Sequence, residues 1–325
     1  MDIDPEYYVQ GVRSGNRKAL AKTITLIESS LPKHQDLISR VLDQLLPFTG
    51  KSVRLGITGV PGVGKSTFIE ALGMNLVERH HRVAILAVDP SSTQSGGSIM
   101  GDKTRMEKLS VHKNAFIRPS PAGGTLGGVS RKTRESLLVC EAAGFDVIII
   151  ETVGVGQSEV SVASMVDFFL LLMLAGAGDD LQGIKRGILE LADAIAVNKA
   201  DGDNFERAMQ AKNIYTEAMH LFSPDTVDWS PPVLTCSSLN MDGIEEVWET
   251  VLDHHGKLSA TGALEQKRKK QALAWMRTLL EDGLKDWFYY LPVVKKSLPK
   301  LTRAVERGET TPTAAVKMIL NFLNN

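Results

Sequence analysis

The stretch Gly59-Val60-Pro61-Gly62-Val63-Gly64-Lys65-Ser66 satisfies every fixed position of GxxxxGK[ST], and Thr67 follows it. Such a loop offers consecutive backbone N–H groups and the positive end of a helix to a chain of phosphates. Lys65 is placed to reach the β- and γ-oxygens, where it serves catalysis as well as binding, and the Ser66 hydroxyl to bind Mg²⁺. The motif needs a strand before it and a helix after it. Leu55-Gly56-Ile57-Thr58 reads as the strand, and residues 67–77 carry a helical pattern.

A second constellation chooses the base. Asn198-Lys199-Ala200-Asp201 ends the apolar run 194–197. A carboxylate at Asp201 accepts from guanine N1–H and from its 2-amino group, whereas adenine presents the opposite pattern. Cys236-Ser237-Ser238-Leu239, after Val233-Leu234-Thr235, resembles the SA[KL] loop that lies against guanine, with Ser238 for the usual alanine. The expected nucleotide contacts are therefore residues 59–67 with Asn198, Lys199, Asp201, Ser237, Ser238 and Leu239. Val60 stands where one subgroup of P-loop ATPases carries a second lysine, which argues against that subgroup.

Two further segments bear on metal and water. Glu151-Thr152-Val153-Gly154 takes the DxxG place, with Glu151 able to hold Mg²⁺ through water and Gly154 N–H able to sense a γ-phosphate. Val155 replaces the usual catalytic glutamine, and Gln157 follows two residues later as the candidate to position water. Residues 96–105 are too Gly-rich for regular structure and too charged to bury, so they read as a switch. There Asp102 would face the metal or the attacking water, and Lys103 or Arg105 would offset phosphate charge.

These residues need a scaffold. Apolar segments at 53–58, 83–88, 115–118, 146–150, 167–174, 194–198 and 233–236 alternate with helical patterns. Continuous apolar runs such as Val147-Ile148-Ile149-Ile150 belong to strands covered on both faces, so the class is α/β with a mostly parallel sheet. Ligands bind such sheets at the carboxyl ends of their strands, where every motif above falls. Residues 1–50 read as a helical layer, with Asp4 capping a helix that starts at Pro5 and with Leu20, Ile24, Ile27 and Leu31 at helical spacing. Residues 51–255 form the nucleotide domain, and 256–325 a helical arm. On that arm Leu273, Met276, Leu280 and Trp287 make an apolar stripe, with Gly283 at the missing step. The stripe suits either intramolecular packing or a dimer contact.

Composition narrows the class further. The chain has 325 residues, 37 Lys+Arg against 38 Asp+Glu, and 6% aromatic residues, which gives no reason to expect nucleic-acid binding. Cys140 and Cys236 lie in apolar segments without a CxxC, which suits a reducing compartment. The longest apolar run, 168–178, is about half of what a membrane helix needs, and the acidic start does not resemble a targeting segment. A cytoplasmic protein without membrane association is expected.

With these motifs placed, the chain resembles the MeaB/ArgK/MMAA family of P-loop GTPases. The resemblance is carried by residues 59–67, Asp89-Pro90-Ser91-Ser92, residues 101–106, residues 151–159 and residues 175–185, and it spans essentially the whole chain. It implies a SIMIBI-class G domain flanked by helical extensions and a homodimer formed through the C-terminal arm. It also implies GTP hydrolysis coupled to adenosylcobalamin loading and protection of an acyl-CoA mutase, chiefly methylmalonyl-CoA mutase. The family's metal roles fall on Ser66, Asp89, Asp102 and Glu151. Its third switch, which relays nucleotide state to the mutase, falls on 176–185 and includes Asp179, Asp180, Gln182 and Lys185. No direct cobalamin ligand is expected: Asp253-His254-His255 begins a DxHxxG pattern, but Leu258 stands where glycine is required. The competing readings are a metal-delivery GTPase, which would need Cys/His clusters, and a P-loop kinase of a small metabolite.

Overall fold

A computed structural model describes residues 4–88, 106–119, 126–152, 158–176, 186–222 and 229–323. The chain divides into two compact units, residues 1–265 and 266–325.

The first unit opens with three helices, α1 (Pro5–Arg13), α2 (Arg17–Glu28) and α3 (Pro32–Leu45). The Asp4 carboxylate accepts from Glu6 N–H at 3.0 Å, with Pro5 at the first helical position. Asn16 caps α2 through Lys18 and Ala19 N–H. Leu20, Ile24 and Ile27 face inward from α2 and are buried. Leu31 does not continue that stripe. It lies beyond the end of α2, extended at φ −70° and ψ 127° and half exposed, because the residue before a proline is pushed out of helical conformation and Pro32 begins the next helix.

Seven strands follow: β1 (Val53–Gly59), β2 (Val83–Val88), β3 (Ala115–Arg118), β4 (Val147–Thr152), β5 (Phe168–Leu174), β6 (Ala194–Asn198) and β7 (Val233–Thr235). They form one sheet in the order β3-β2-β4-β1-β5-β6-β7, and every pairing is parallel. The seven apolar segments are the seven strands. β4 runs further than its apolar core suggests: it extends through Thr152, so Glu151 is a strand residue paired with Ile57 of β1.

Helices cover both faces, as parallel sheets require. On one face α4 (Lys65–Glu78) and α10 (Ile244–Ala260) bury Phe68, Leu72, Leu76, Val247 and Trp248 against Leu55, Ile57, Ile149 and Leu170. On the other, α6 (Leu126–Ala142), α7 (Ser158–Ala163) and the amino-terminal helices pack on Ala84, Leu86, Ile148, Ile150 and Phe169 in one continuous core. The short α5 (Glu107–Val111) and α8 (Arg186–Leu189) and the longer α9 (Phe205–Phe222) complete the layer, with Tyr215 of α9 buried over Ile195 and Val197.

The second unit contains most of α11 (Ala263–Tyr290), together with α12 (Pro292–Glu306) and α13 (Pro312–Leu320). Val294, Ala315 and Ile319 are buried, while Leu273, Met276, Leu280, Leu284 and Trp287 along α11 are each more than half exposed. No helix among the described residues is long and apolar enough to cross a membrane.

Candidate nucleotide site

β1 ends at Gly59 and α4 begins at Lys65, so residues 60–64 form the loop between a strand end and a helix start. Glycines at its two borders are sterically required. A Cβ at Gly59 would stand 2.5 Å from the Leu172 carbonyl oxygen, and one at Gly64 would stand 3.0 Å from the Asn198 amide nitrogen. Gly64 also has φ +93°, which a side chain resists. Val63 is fully buried and pins the loop to the core. The first turn of α4 therefore presents its N–H groups above the sheet, the geometry that favours anions.

The Lys65 ammonium folds back over this loop and donates to the carbonyls of Gly59 at 2.8 Å and Val60 at 3.3 Å. Burial lowers its pKa from the ordinary lysine value, and the nearby charges of Glu151 and Glu159 oppose that shift. The Ser66 hydroxyl donates to Glu151 Oε1 at 3.2 Å. An all-oxygen pair of a hydroxyl and a nearly buried carboxylate, beside a phosphate-type loop, fits a hard cation such as Mg²⁺.

Three loops meet on the base side. Asn198, almost fully buried, donates its amide to the Val63 carbonyl at 2.8 Å. Its Oδ1 accepts from Ser238 N–H at 3.2 Å, from the Ser238 hydroxyl at 2.8 Å and from the Cys236 thiol at 3.6 Å. Lys199, in left-handed conformation at φ +61°, donates to the Gly62 carbonyl at 2.8 Å. The Ser237 hydroxyl donates to the Asp201 carboxylate and accepts from Asn240 N–H. Leu239 stands 80% exposed at the rim. The structure thus brings residues 59–67, Asn198, Lys199, Asp201, Ser237 and Ser238 into one network with Glu151. Asp89, Asp102, Gln157, Asp179, Asp180, Gln182 and Lys185 lie outside the described residues.

Sequence reasoning missed two features. Glu159 is 1% exposed and close enough to Lys65 to act on its charge, which a surface-type residue in a short helix does not announce. The buried hydroxyls of Thr58 and Thr152 bond to each other at 2.7 Å, although 94 residues separate them in sequence. In the incomplete DxHxxG pattern the histidine position is His255, which is partly exposed, while its neighbour His254 packs inside the unit against the rings of Phe168 and Trp229. Among the described residues no group of three or more His, Cys, Asp or Glu side chains could hold a metal ion.

The profile of the family described as "Methylmalonyl Co-A mutase-associated GTPase MeaB" matches residues 20–290. The chain belongs to this family. A probable GTPase of Mycobacterium tuberculosis is 54% identical over 313 residues, spanning 96% of this chain and 93% of the relative. The GTPase ArgK of Escherichia coli is 45% identical, spanning 97% and 95%. The mitochondrial methylmalonic aciduria type A homolog of mouse is 44% identical, spanning 95% of this chain and 77% of its own length. A solved structure titled "LAO/AO transport system kinase" superposes with a TM-score of 0.78 at 39% identity, covering 99% of this chain and 98% of that one. Like its MeaB-family relatives, the chain is a GTPase with a P-loop NTPase fold, and GTP and GDP are its nucleotides.

Proposed function

We propose that this MeaB-family GTPase is a chaperone of an adenosylcobalamin-dependent acyl-CoA mutase, with methylmalonyl-CoA mutase the first candidate. GTP binding and hydrolysis gate cofactor loading and protect the partner. In this reading the α4 N-terminus and Lys65 hold the phosphates, and Asp201, oriented by Ser237, reads the guanine edge. Asn198 and Lys199 brace the phosphate loop against the base loop, and Leu239 covers the base. Ser66 and Glu151, joined by Asp89 and Asp102, hold Mg²⁺, which neutralises charge on the β- and γ-oxygens when bound. Asp102 and Gln157 orient the attacking water. Residues 176–185 couple the site to the mutase through Asp179, Asp180, Gln182 and Lys185. The arm 256–325 pairs two copies through the exposed stripe of α11, in a cytoplasmic homodimer.

One observation carries the reading: the family whose description names mutase association matches 271 of 325 residues, counting 20 through 290. The guanine-reading geometry around Asp201 supports a GTPase over a metabolite kinase. Single-turnover GTP hydrolysis with and without purified methylmalonyl-CoA mutase tests it. Stimulation by the mutase, lost in Lys185→Ala while basal hydrolysis stays near wild type, is the expected result. Identical rates with and without mutase, together with no co-elution on a sizing column, would overturn it.

A further inference from the structure

The strands that carry the phosphate loop and Glu151 are neighbours, and the last pair of their ladder includes Glu151 itself. The β1–β4 register runs from Val53↔Val147 to Ile57↔Glu151. On their outer sides the same strands stay paired further up, β1 with β5 to Gly59↔Leu172 and β4 with β2 to Val88↔Thr152. The next residues up, Thr58 of β1 and Thr152 of β4, continue the contact between the two strands through their side chains.

Two side-chain bonds lie at this end of the strands, one on each face of the sheet. On the α4 side, Ser66 donates to Glu151. On the opposite side, Thr152 donates to Thr58 at 2.7 Å, both residues at most 1% exposed. By strand alternation Thr58 shares its face with Gly56, and Thr152 with Ile150. Around Gly56 that face is lined by Val162, Val166 and Phe169, which belong to the same apolar core as Ile150. Valine has nearly the shape of threonine and would be better suited to such surroundings on burial grounds alone. It would not give the same geometry. Two methyl groups rest about 3.5–4.0 Å apart, so an apolar pair would part the strand ends by about 1 Å.

We propose that the Thr152–Thr58 hydroxyl bond is a positioning device for hydrolysis: it sets the spacing of β1 and β4 at their carboxyl ends, and so where the Glu151 carboxylate stands relative to Ser66 and the phosphate loop. Thr58 lies immediately before Gly59, and Thr152 immediately after Glu151, so a change in their separation passes directly to both. The inference rests on the reading of Glu151 as a residue that holds Mg²⁺. An offset of about 1 Å at a reacting centre can cost about 100-fold in rate.

The test compares Thr58→Val, Thr152→Val, the double valine variant and Thr152→Ser. It measures thermal stability, GDP affinity in EDTA and across a Mg²⁺ titration, and kcat and KM for GTP. Each single valine variant leaves a buried hydroxyl without its partner and should lose stability; the double variant removes both hydroxyls and should regain it. The device predicts that the double variant, though stable, keeps a kcat at least tenfold low and needs about tenfold more Mg²⁺ for half-maximal tightening of GDP. Its GDP affinity in EDTA should stay within twofold of wild type, and Thr152→Ser should restore all of these values. A double variant with wild-type kcat and Mg²⁺ dependence would overturn the proposal and leave the pair a packing feature. Glu151→Gln, measured alongside, separates the underlying reading: if it leaves the Mg²⁺ dependence unchanged, the metal assignment fails, whatever the threonine variants do.

Discussion

At the amino end of β1, Arg54 forms two hydrogen bonds to Glu141, Nε to Oε1 and Nη2 to Oε2, both at 2.9 Å. The same carboxylate accepts from Gly50 N–H and from the Ser52 hydroxyl. At the carboxyl end of β1, Lys65 is also half buried near carboxylates, yet among the described residues its ammonium donates to two loop carbonyls. The amino end is a closed structural pair, its charges matched and its lone pairs filled within the protein. The carboxyl end holds its cation on weak acceptors that phosphate oxygens can replace. A buried charge kept for folding is saturated by its own chain, whereas one kept for a ligand is left with partners it can exchange.

Breaking the amino end should give the largest effect. Glu141→Ala leaves the Arg54 guanidinium, 13% exposed at its side chain, without its counter-charge. Removing one partner of a buried pair costs about 3–5 kcal/mol. Urea denaturation should show that loss, while the folded fraction binds GDP with unchanged affinity. A loss below 1 kcal/mol would mean the pair is not structural.

Lys65→Ala should do the reverse. Charge-assisted contacts to phosphate are worth roughly 1.5–3 kcal/mol each, so GDP affinity should fall at least about 100-fold with little change in urea midpoint. Calorimetry decides it, and unchanged affinity would remove Lys65 from the site. Asp201→Asn sharpens the comparison on the base side. An amide there can donate to the 2-oxo group of xanthine but no longer accepts both guanine protons, so preference should move from GDP to XDP by about tenfold or more. Competition binding that still favours GDP would show that Asp201 does not read the base.

Much of this was legible locally, and the reasons are specific. The strands were readable because residues such as 147–150 and 168–174 are apolar without interruption. That the 59–66 loop joins a strand to a helix was readable because GxxxxGK[ST] is a motif of fixed residue types at fixed spacing, and Asn198 and Lys199 now prove to bond to that loop. Glu141 with Arg54, Thr58 with Thr152, and the burial of Glu159 were not, because each depends on contacts between strands and helices far apart in sequence. The Leu31 error has a local cause: the helical spacing was correct, but Pro32 outweighs it.

The two ends also differ in a thiol. Cys140 adjoins Glu141, and burial together with that carboxylate's charge pushes its thiol pKa far up; Cys236, in the base loop, is pushed up to about 12 by burial alone. Native Cys236 therefore stays protonated where the unfolded thiol, near 9.0, already ionises. Above pH 9 the unfolded state holds fewer protons than the native one, so stability falls as pH rises, until the native thiol itself ionises near pH 12. At pH 10, one unit above the unfolded value, the loss from this group is on the order of 1 kcal/mol. Other groups titrate in the same range, so the measurement must be a difference. Between pH 8 and pH 10 the wild type should lose on the order of 1 kcal/mol more in urea unfolding than Cys236→Ala does. Equal losses in the two proteins would mean that native Cys236 ionises as freely as the unfolded thiol, and that the base loop around Asn198 opens to solvent far more readily than its bonds imply.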